Sequence, residues 1–307
     1  MAILIRRALL IANPASRRGR RLAEIARREL VKRGVACDLA LTERPGHAAE
    51  LAGDRAHDYD AVFALGGDGT VMEVAGALAR SGRPIGVLAG GTGNLLARAL
   101  GIPLRVKRAI VALLDGAELA IDLGRLEPMR DGRERYFAIV AGVGIDAAMV
   151  AETPAWLKRR LGVAAYTIMG TRAALRAVLW RRFFHARITV DGAVYERRAA
   201  AVMIANFGAV LGRRITLGPE IRTDDGVLDA CIFSPRSLSD ALRIMWRLMR
   251  RDFRSDPCML YRPGRELTVE TTPPLAAQAD GELLGETPFR AIVEPLAARL
   301  LVPRPGT

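Results

Sequence analysis

The sequence predicts two domains: an α/β domain with a parallel sheet over residues 1–122, followed by a mostly antiparallel β domain. The length, 307 residues, is typical of two domains or one large one. Up to about residue 122, apolar runs alternate with segments of helical periodicity, which is typical of βαβ units. Beyond that point short strand-like runs dominate, and Asp191-Gly192 indicates a tight hairpin turn.

The elements of each half follow from the spacing of apolar residues. In the first half we predict strands at 7–12, 35–42, 61–65 and 84–88. Helices are expected at 19–32 and 47–55, from the glycine-rich turn at 66–70 to residue 78, and from a second glycine-rich turn at 90–94 to residue 100. In the second half we predict strands at 120–127, 135–142, 186–190, 193–205, 228–233, 266–271 and 291–301. Helices are expected at 155–181 and 238–252, the latter opened by a capping box at Ser237 and Asp240.

Composition limits the possible functions. Half of the residues are apolar and 26% are charged, which is typical of a globular protein with a sizeable core. Forty-six Lys and Arg against 33 Asp and Glu give a net charge of +13, which favours an anionic partner. Three scattered cysteines argue against a disulfide framework or a zinc site. No apolar stretch reaches the roughly 18 residues of a membrane span, so we expect a cytoplasmic protein.

Two glycine-rich turns, 66–70 (GGDGT) and 90–94 (GGTGN), each lie between a predicted buried strand and a helix. Glycines let the backbone approach a ligand, and the N–H groups at the helix start suit phosphate oxygens. Asp68 would repel a phosphate unless a divalent cation lay between them. The alternative is that these are only tight strand–helix turns. Neither is a P-loop, since no Gly-Lys-Ser/Thr follows.

Six short motifs follow one another along nearly the whole chain: 13–14 (NP), 66–73 (GGDGTVME), 91–94 with 100–103 (LGIP), 122–124 (DLG), 224–226 (DDG) and 280–282 (DGE). In this order they resemble the diacylglycerol kinase catalytic family, which includes bacterial lipid kinases and sphingosine and ceramide kinases. More distantly the chain resembles NAD kinases, which share the GGDGT loop.

The resemblance implies both a fold and a set of ligands. It implies a β-sandwich over 123–290, a C-terminal segment 291–307 that returns to the α/β domain, and an active site in the cleft between the domains. ATP would be the phosphate donor, with Mg²⁺. By resemblance the ATP-binding residues are Asn13, Thr42, Gly66, Gly67, Asp68, Gly69, Thr70, Val71, Met72, Glu73, Thr92, Gly93 and Asn94.

The resemblance also implies the catalytic and metal residues. Glu282 matches the proton acceptor, Asp280 could share or hold that role, and Asp68 would act on the phosphate side. Asp225, with the backbone carbonyls of Arg222 and Val227, matches a structural magnesium loop. Taken alone, without the other motifs, 280–282 is better interpreted as a hairpin turn with solvated carboxylates. Many relatives carry an acidic residue where this chain has Leu95, so a metal network at that point is not expected here.

Two segments of the second half combine basic residues with aromatic or apolar ones. No acidic residue lies between Glu152 and Asp191, whereas arginines, lysines and aromatic residues are frequent there, and helix 238–252 carries Leu242, Met245, Trp246 and Met249 beside arginines. We expect peripheral binding to an anionic membrane surface at the inner face, although a solvated basic face would give the same pattern. No specific nucleic-acid motif is present.

The expected function is therefore an ATP- and Mg²⁺-dependent lipid kinase with a diacylglycerol-type acceptor. The alternatives are an NAD kinase and a non-catalytic lipid or nucleotide sensor. The sequence predicts neither the acceptor lipid nor the oligomeric state.

Overall fold

The structure is a computed structural model that describes residues 4–14, 19–127, 134–144, 183–210 and 215–304. The chain divides into two compact units. Unit 1 comprises Met1–Ile121 and Leu296–Thr307, and unit 2 comprises Asp122–Pro295. The predicted helix at 155–181 lies outside the described residues.

The described helices are α1 Gly19–Lys32, α2 His47–Arg55, α3 Asp68–Ala77, α4 Leu95–Ala99 and α5 Val106–Leu114 in unit 1, and α6 Leu238–Arg250 in unit 2. The strands of unit 1 are β1 Arg7–Ala12, β2 Ala36–Leu41, β3 Ala61–Gly66 and β4 Pro84–Ala89, together with the ends of β5 Ala117–Leu126 and β18 Phe289–Val302 that belong to it. Unit 2 contains β6 Arg135–Phe137, β7 Val140–Gly144, β8 Phe184–Val190, β9 Ala193–Ala199, β10 Ala201–Ala205, β11 Ala209–Val210, β12 Ile215–Thr216, β13 Leu228–Phe233, β14 Met259–Gly264, β15 Glu266–Thr272, β16 Ala276–Ala279 and β17 Glu282–Glu286.

Unit 1 is built on a parallel sheet, as predicted. Its strand order is β2-β1-β3-β4, and the C-terminal part of β18 adds a further parallel strand through Arg299 and Leu300 beside β4. All six residues of β3 are buried, because helices cover both faces of a parallel sheet. The order reverses between β1 and β3, and in open α/β sheets ligands bind at the carboxyl ends of the strands beside such a switch point.

Unit 2 is a β-sandwich, which confirms the fold that the resemblance implied. One antiparallel sheet contains β15, β8 and β9, and the other has the order β14-β13-β10-β7-β16-β17. Side chains from both sheets form one core, with Leu267 and Ile188 from the first sheet and Val202, Ile204 and Ile232 from the second. The predicted hairpin at Asp191-Gly192 joins β8 to β9.

Several predicted elements have different bounds in the structure. The single strand expected at 135–142 is two strands, β6 and β7, because the chain turns at residues 138 and 139. The strand expected at 193–205 is also two, since β9 pairs with β8 and β10 with β13. The predicted helix start at Ser237 is confirmed: its Oγ accepts a hydrogen bond from the N–H of Asp240 at 3.1 Å. In the described ranges, no helix is both long and apolar enough to cross a membrane.

Candidate active site

The residues of unit 1 predicted to bind ATP lie at the carboxyl ends of the parallel strands. Asn13 follows β1, Thr42 follows β2, and the segments 66–70 and 90–94 follow β3 and β4. The N–H of Asn13 donates to the carbonyl of Leu65 at 2.9 Å, which ties the ends of β1 and β3 together. The sheet topology therefore brings these residues to one edge.

The two glycine-rich loops pack backbone against backbone. The N–H groups of Gly90 and Gly91 both donate to the carbonyl of Gly66, at 2.8 and 3.0 Å. A Cβ at Gly91 would lie 2.5 Å from the Cα of Gly67, so any side chain there would force the loops apart. Glycine is required here for close approach of the backbones.

Helix α3 begins directly at the first loop. The first N–H groups of a helix have no acceptor within it and carry its positive dipole end, so they suit phosphate oxygens. Asn13 donates from Nδ2 to Oγ1 of Thr70 at 3.3 Å. Val71 and Met72 are buried in the core of unit 1, so a ligand at this edge would meet backbone rather than their side chains.

The carboxylate of Asp68 connects the two loops. Its Oδ1 accepts hydrogen bonds from the N–H of Leu95 at 2.6 Å and of Leu96 at 3.4 Å. Asp68 therefore caps the first turn of α4, where negative charge is favourable. Sequence reasoning missed this role, and it gives the carboxylate a partner without a cation. Leu95, the departure from the family pattern, takes part through its backbone N–H.

Glu73 also uses its carboxylate on a helix start. Oε1 accepts from the N–H of Gly46 at 2.8 Å and Oε2 from the N–H of Ala48 at 3.1 Å, which caps α2. In the second loop, Asn94 has a φ of 48°, and its side chain exchanges hydrogen bonds with both backbone groups of Gly91. Of these two predicted ATP-binding residues, Glu73 fixes the start of α2 and Asn94 fixes the second glycine-rich loop.

Thr92 and Gly93 lie between the fixed points of the second loop. Thr92 is exposed, and a Cβ at Gly93 would lie 2.8 Å from Oδ2 of Asp68. A side chain at position 93 would therefore force the carboxylate of Asp68 to shift. Thr92 can therefore offer its hydroxyl to a ligand, while Gly93 can offer only backbone groups.

Asp280 is buried in unit 2, with 5% of its surface exposed. Its Oδ2 accepts from the N–H of Ala138 at 2.7 Å, and its Oδ1 accepts from Ile139 at 3.0 Å and from Val140 at 2.9 Å. These bonds fix the turn between β6 and β7. A carboxylate that already accepts three buried backbone N–H groups would leave them unpaired if it turned towards a substrate, which is costly.

Glu282 lies two residues further on, in a different environment. It opens β17 and is exposed. Gly281 between them has a φ of 87°, and its N–H donates to Oε1 of Gln278 at 2.8 Å. The turn therefore buries Asp280 and presents Glu282 at the surface of unit 2.

Asp122 holds the predicted metal loop. It is fully buried, its Oδ2 accepts from the N–H of Gly226 at 2.7 Å, and its own N–H donates to the carbonyl of Thr223 at 2.6 Å. The 122–124 and 224–226 motifs are thus physically joined within unit 2.

The loop offers oxygen donors of the type that Mg²⁺ prefers. Oδ1 of Asp225 accepts from the N–H of Val227 at 3.3 Å, while the guanidinium of Arg222 pairs with Asp224 at 3.1 Å. Burial raises the pKa of Asp229 to about 6, and the charge of Asp225 contributes to the shift. A cation at this loop would relieve that repulsion. Within the described residues, no group of three His, Cys, Asp or Glu could hold a metal through side chains alone.

Two protein-family models together match most of the chain. The diacylglycerol kinase catalytic domain matches residues 7–126. The YegS C-terminal NAD kinase beta sandwich-like domain matches residues 138–302.

Individual relatives agree with these matches. A diacylglycerol kinase of Bacillus subtilis is 28% identical over 295 residues, which cover 92% of each chain. An uncharacterized protein of Synechocystis sp. is 30% identical over 246 residues, 79% of this chain, but the chain spans only 54% of that relative. A crystal structure of a diacylglycerol kinase from Bacillus anthracis shares the fold, with a TM-score of 0.71, 20% identity and 97% coverage of both chains.

Proposed function

We propose that this protein transfers the γ-phosphate of ATP to a lipid hydroxyl with the help of Mg²⁺. The proposal starts from the family: the chain belongs to the diacylglycerol kinase catalytic family of lipid kinases. The observation that supports this most is the pair of interlocked glycine loops at the carboxyl ends of β3 and β4. Diacylglycerol is the default acceptor, because the Bacillus subtilis relative is named a diacylglycerol kinase.

On the donor side, the chain acts through its backbone. Phosphate oxygens would accept hydrogen bonds from backbone N–H groups at the start of α3, where the helix dipole favours negative charge. These are the N–H groups of Gly67, Asp68, Gly69 and Thr70. Asp68 and Asn94 keep the loops in shape, and Glu73 caps the neighbouring helix α2, through the hydrogen bonds described above. Phosphoryl transfer depends mainly on positioning and charge neutralisation, which such a preformed loop supplies.

On the acceptor side, Glu282 is the better candidate for the base. The acceptor oxygen forms a bond to the γ-phosphorus as the bond from that phosphorus to the ADP oxygen breaks, and the hydroxyl proton passes to the Glu282 carboxylate. Asp280 is fixed by three backbone N–H groups, so we assign it to positioning of the turn that carries Glu282. Mg²⁺, when bound, would neutralise phosphate charge or stabilise the loop at Asp225.

We also propose that α6 binds the membrane surface. Its outer side exposes 64% of Leu242, 56% of Trp246 and 55% of Met249, while Ile244 and Leu248 are buried against unit 2. The guanidinium of Arg250 lies 4.5 Å from the centre of the Trp246 ring. An apolar stripe flanked by arginines fits an anionic bilayer, since the stripe enters the headgroup layer and the arginines meet lipid phosphates.

Transfer of radiolabelled γ-phosphate tests the reaction. ATP with Mg²⁺ is offered to diacylglycerol, ceramide, bacterial lipid extract and NAD in parallel. The variants are Glu282→Gln and, as the matched control, Glu286→Gln, which is exposed on the same strand. We expect labelled lipid from wild type and control, and a rate about 10²–10⁴-fold lower in Glu282→Gln, the usual worth of a general base.

Other outcomes select the alternatives. Labelled NADP would favour the NAD kinase function, which the description of the second family match keeps open. Absence of label from every acceptor, with ATP binding intact, would favour a sensor. Equal rates in Glu282→Gln and Glu286→Gln would contradict the role of Glu282.

Vesicle co-sedimentation tests the membrane surface. Trp246→Gln and Leu242→Gln should weaken binding to vesicles that contain phosphatidylglycerol. Val194→Gln, which also replaces an exposed apolar residue of unit 2, should not. Unchanged binding in the α6 variants would contradict the proposal.

A further inference from the structure

A second concentration of positive charge in unit 2 surrounds a cavity that the proposed phosphoryl transfer does not use. This arginine cavity has a volume of about 620 Å³ and is lined by Phe183, Arg197, Arg198, Ser234 and Arg236, with two prolines completing its wall. The arginines come from β9 and from the segment that precedes α6. No acidic residue of the described ranges lines it.

The three arginines differ from Arg243 and Arg247, two of the arginines on α6. Arg243 and Arg247 form ion pairs with Asp256, at 3.4 and 2.6 Å. Within the part of the chain that the structure describes, the guanidinium groups that line the arginine cavity have no carboxylate partner.

Two of the arginine side chains of the cavity are held by weaker contacts. The guanidinium of Arg198 lies 5.1 Å from the centre of the Phe183 ring. Nη1 of Arg197 donates to the carbonyl of Glu196 at 3.1 Å. At Arg236 it is the backbone N–H, not the guanidinium, that donates to Asp240, at 3.0 Å. The side chains of Arg197 and Arg198 are therefore partly oriented by contacts that leave their charge uncompensated.

Three arginines line this cavity and no carboxylate of the described residues does, so an anion that enters it would lie near positive charge that is not already paired. Guanidinium groups bind phosphate through paired N–H donors, and the Ser234 hydroxyl supplies another donor. The cavity also adjoins the start of α6, a helix of 13 residues whose N-terminal dipole favours negative charge. A phosphomonoester carries about −1.5 to −2 charges at neutral pH and so gains most from such a site.

We propose that the arginine cavity is a binding site for a phosphomonoester group. Such a group is carried by free phosphate compounds and by the headgroup of a phosphorylated lipid. The second source has a structural argument, because the apolar stripe of α6 begins at Leu238, two residues after Arg236. The site stands on the geometry of unit 2 alone and does not depend on the proposed kinase activity.

The test compares two double variants that each remove two positive charges. Arg198→Gln with Arg236→Gln changes the arginine cavity. Arg262→Gln with Arg265→Gln is the control: both residues are exposed, and Arg262 lies over the Tyr195 ring at 5.1 Å as Arg198 lies over Phe183. Calorimetry measures glycerol 3-phosphate binding, and co-sedimentation measures binding to vesicles that contain phosphatidic acid or, at equal surface charge, phosphatidylglycerol.

We expect the cavity variant to bind phosphomonoesters at least about tenfold more weakly than the control does, a factor that corresponds to 1.4 kcal/mol. Binding at the glycine loops is common to both variants, so the difference reports on the cavity. A loss confined to phosphatidic acid vesicles identifies the lipid headgroup, and a loss confined to glycerol 3-phosphate identifies a free phosphate compound. Equal affinities in the two variants, an equal loss for phosphatidylglycerol vesicles, or no binding by the wild type would overturn the proposal.

Discussion

The glycine loops of unit 1 and the Asp-Gly-Glu turn of unit 2 both place an aspartate against backbone N–H groups, but to different degrees. Asp68 is half-buried and accepts two N–H groups at the start of α4. Asp280 is buried and accepts three at the turn between β6 and β7. Glu282, only two residues away, is exposed.

A motif therefore does not by itself assign a role to a carboxylate. The number of buried N–H donors decides how firmly an acidic side chain is committed to the backbone, because each unpaired donor costs about 1–3 kcal/mol. By this criterion Asp280 has a structural role, and Glu282 is able to turn towards a substrate hydroxyl as we propose. Asp68 is intermediate between them in the number of N–H groups that it accepts.

Substitution of Asp280 should destabilise the protein far more than substitution of Glu282. Asp280→Asn turns one acceptor into a donor that faces the N–H of Ala138, so we expect the free energy of unfolding to fall by about 3 kcal/mol. Glu282→Gln, at an exposed position, should change it by less than about 0.5 kcal/mol. Equilibrium urea unfolding measures both. Equal losses would show that burial does not distinguish the two carboxylates.

The backbone packing of the loops gives the next largest effect. Gly91→Ala places a Cβ 2.5 Å from the Cα of Gly67, so one of the two backbone segments would have to move. We therefore expect this substitution to destabilise the protein by about 2 kcal/mol. Gly53→Ala is the matched control: Gly53 lies inside α2, and a Cβ there would meet nothing within 4 Å, so alanine should stabilise by about 0.5–1 kcal/mol. Urea unfolding compares them, and a loss in Gly53→Ala as large as in Gly91→Ala would contradict this account.

Much of the fold could be predicted because its signals are local. Buried parallel strands such as β3 and β4 are continuous apolar runs, and the Asp191-Gly192 hairpin has its own turn chemistry. Helix α5 was missed although Val106, Ala109, Ile110 and Leu113 have helical spacing and are buried. Strand β14 was missed because its sequence, MLYRPG, contains a proline and an arginine, which disguise its pairing with β13.

The candidate site was predictable in position but not in its hydrogen bonds. The order of strands and glycine turns places the loops at one sheet edge. The partners of the carboxylates are distant in sequence: Asp68 and Leu95 are 27 residues apart, and Asp280 and Ala138 are 142 apart. No local pattern encodes such contacts, because they arise only when the sheets assemble. The arginine cavity was missed for the same reason.

A smaller effect tests the intermediate position of Asp68. Asp68→Asn keeps the size of the side chain but removes the charge that faces the start of α4, so we expect a loss of about 1 kcal/mol. Asp54→Asn, at an exposed position of α2, is the control and should stay within about 0.5 kcal/mol of wild type. Thermal unfolding at low ionic strength measures the difference. A loss as large as that of Asp280→Asn would place Asp68 with the buried scaffold.

The smallest effect concerns Asp60, an exposed counterpart of these aspartates. Its Oδ2 accepts the N–H groups of Arg6 and Arg7, each at 2.8 Å, and these bonds hold the pKa of its carboxyl below the ordinary value of 3.8. Because the pKa is lower in the folded state, the unfolded chain binds the proton more readily, and the charged carboxylate stabilises the fold above about pH 4. The difference in free energy of unfolding between wild type and Asp60→Asn should therefore be present at pH 7 and shrink as the pH falls through 3.8 and below. A difference that stays constant with pH would mean that Asp60 acts through its shape rather than its charge. Hydrogen bonds from backbone N–H groups to a carboxylate would then matter for stability through charge only at buried positions such as Asp280.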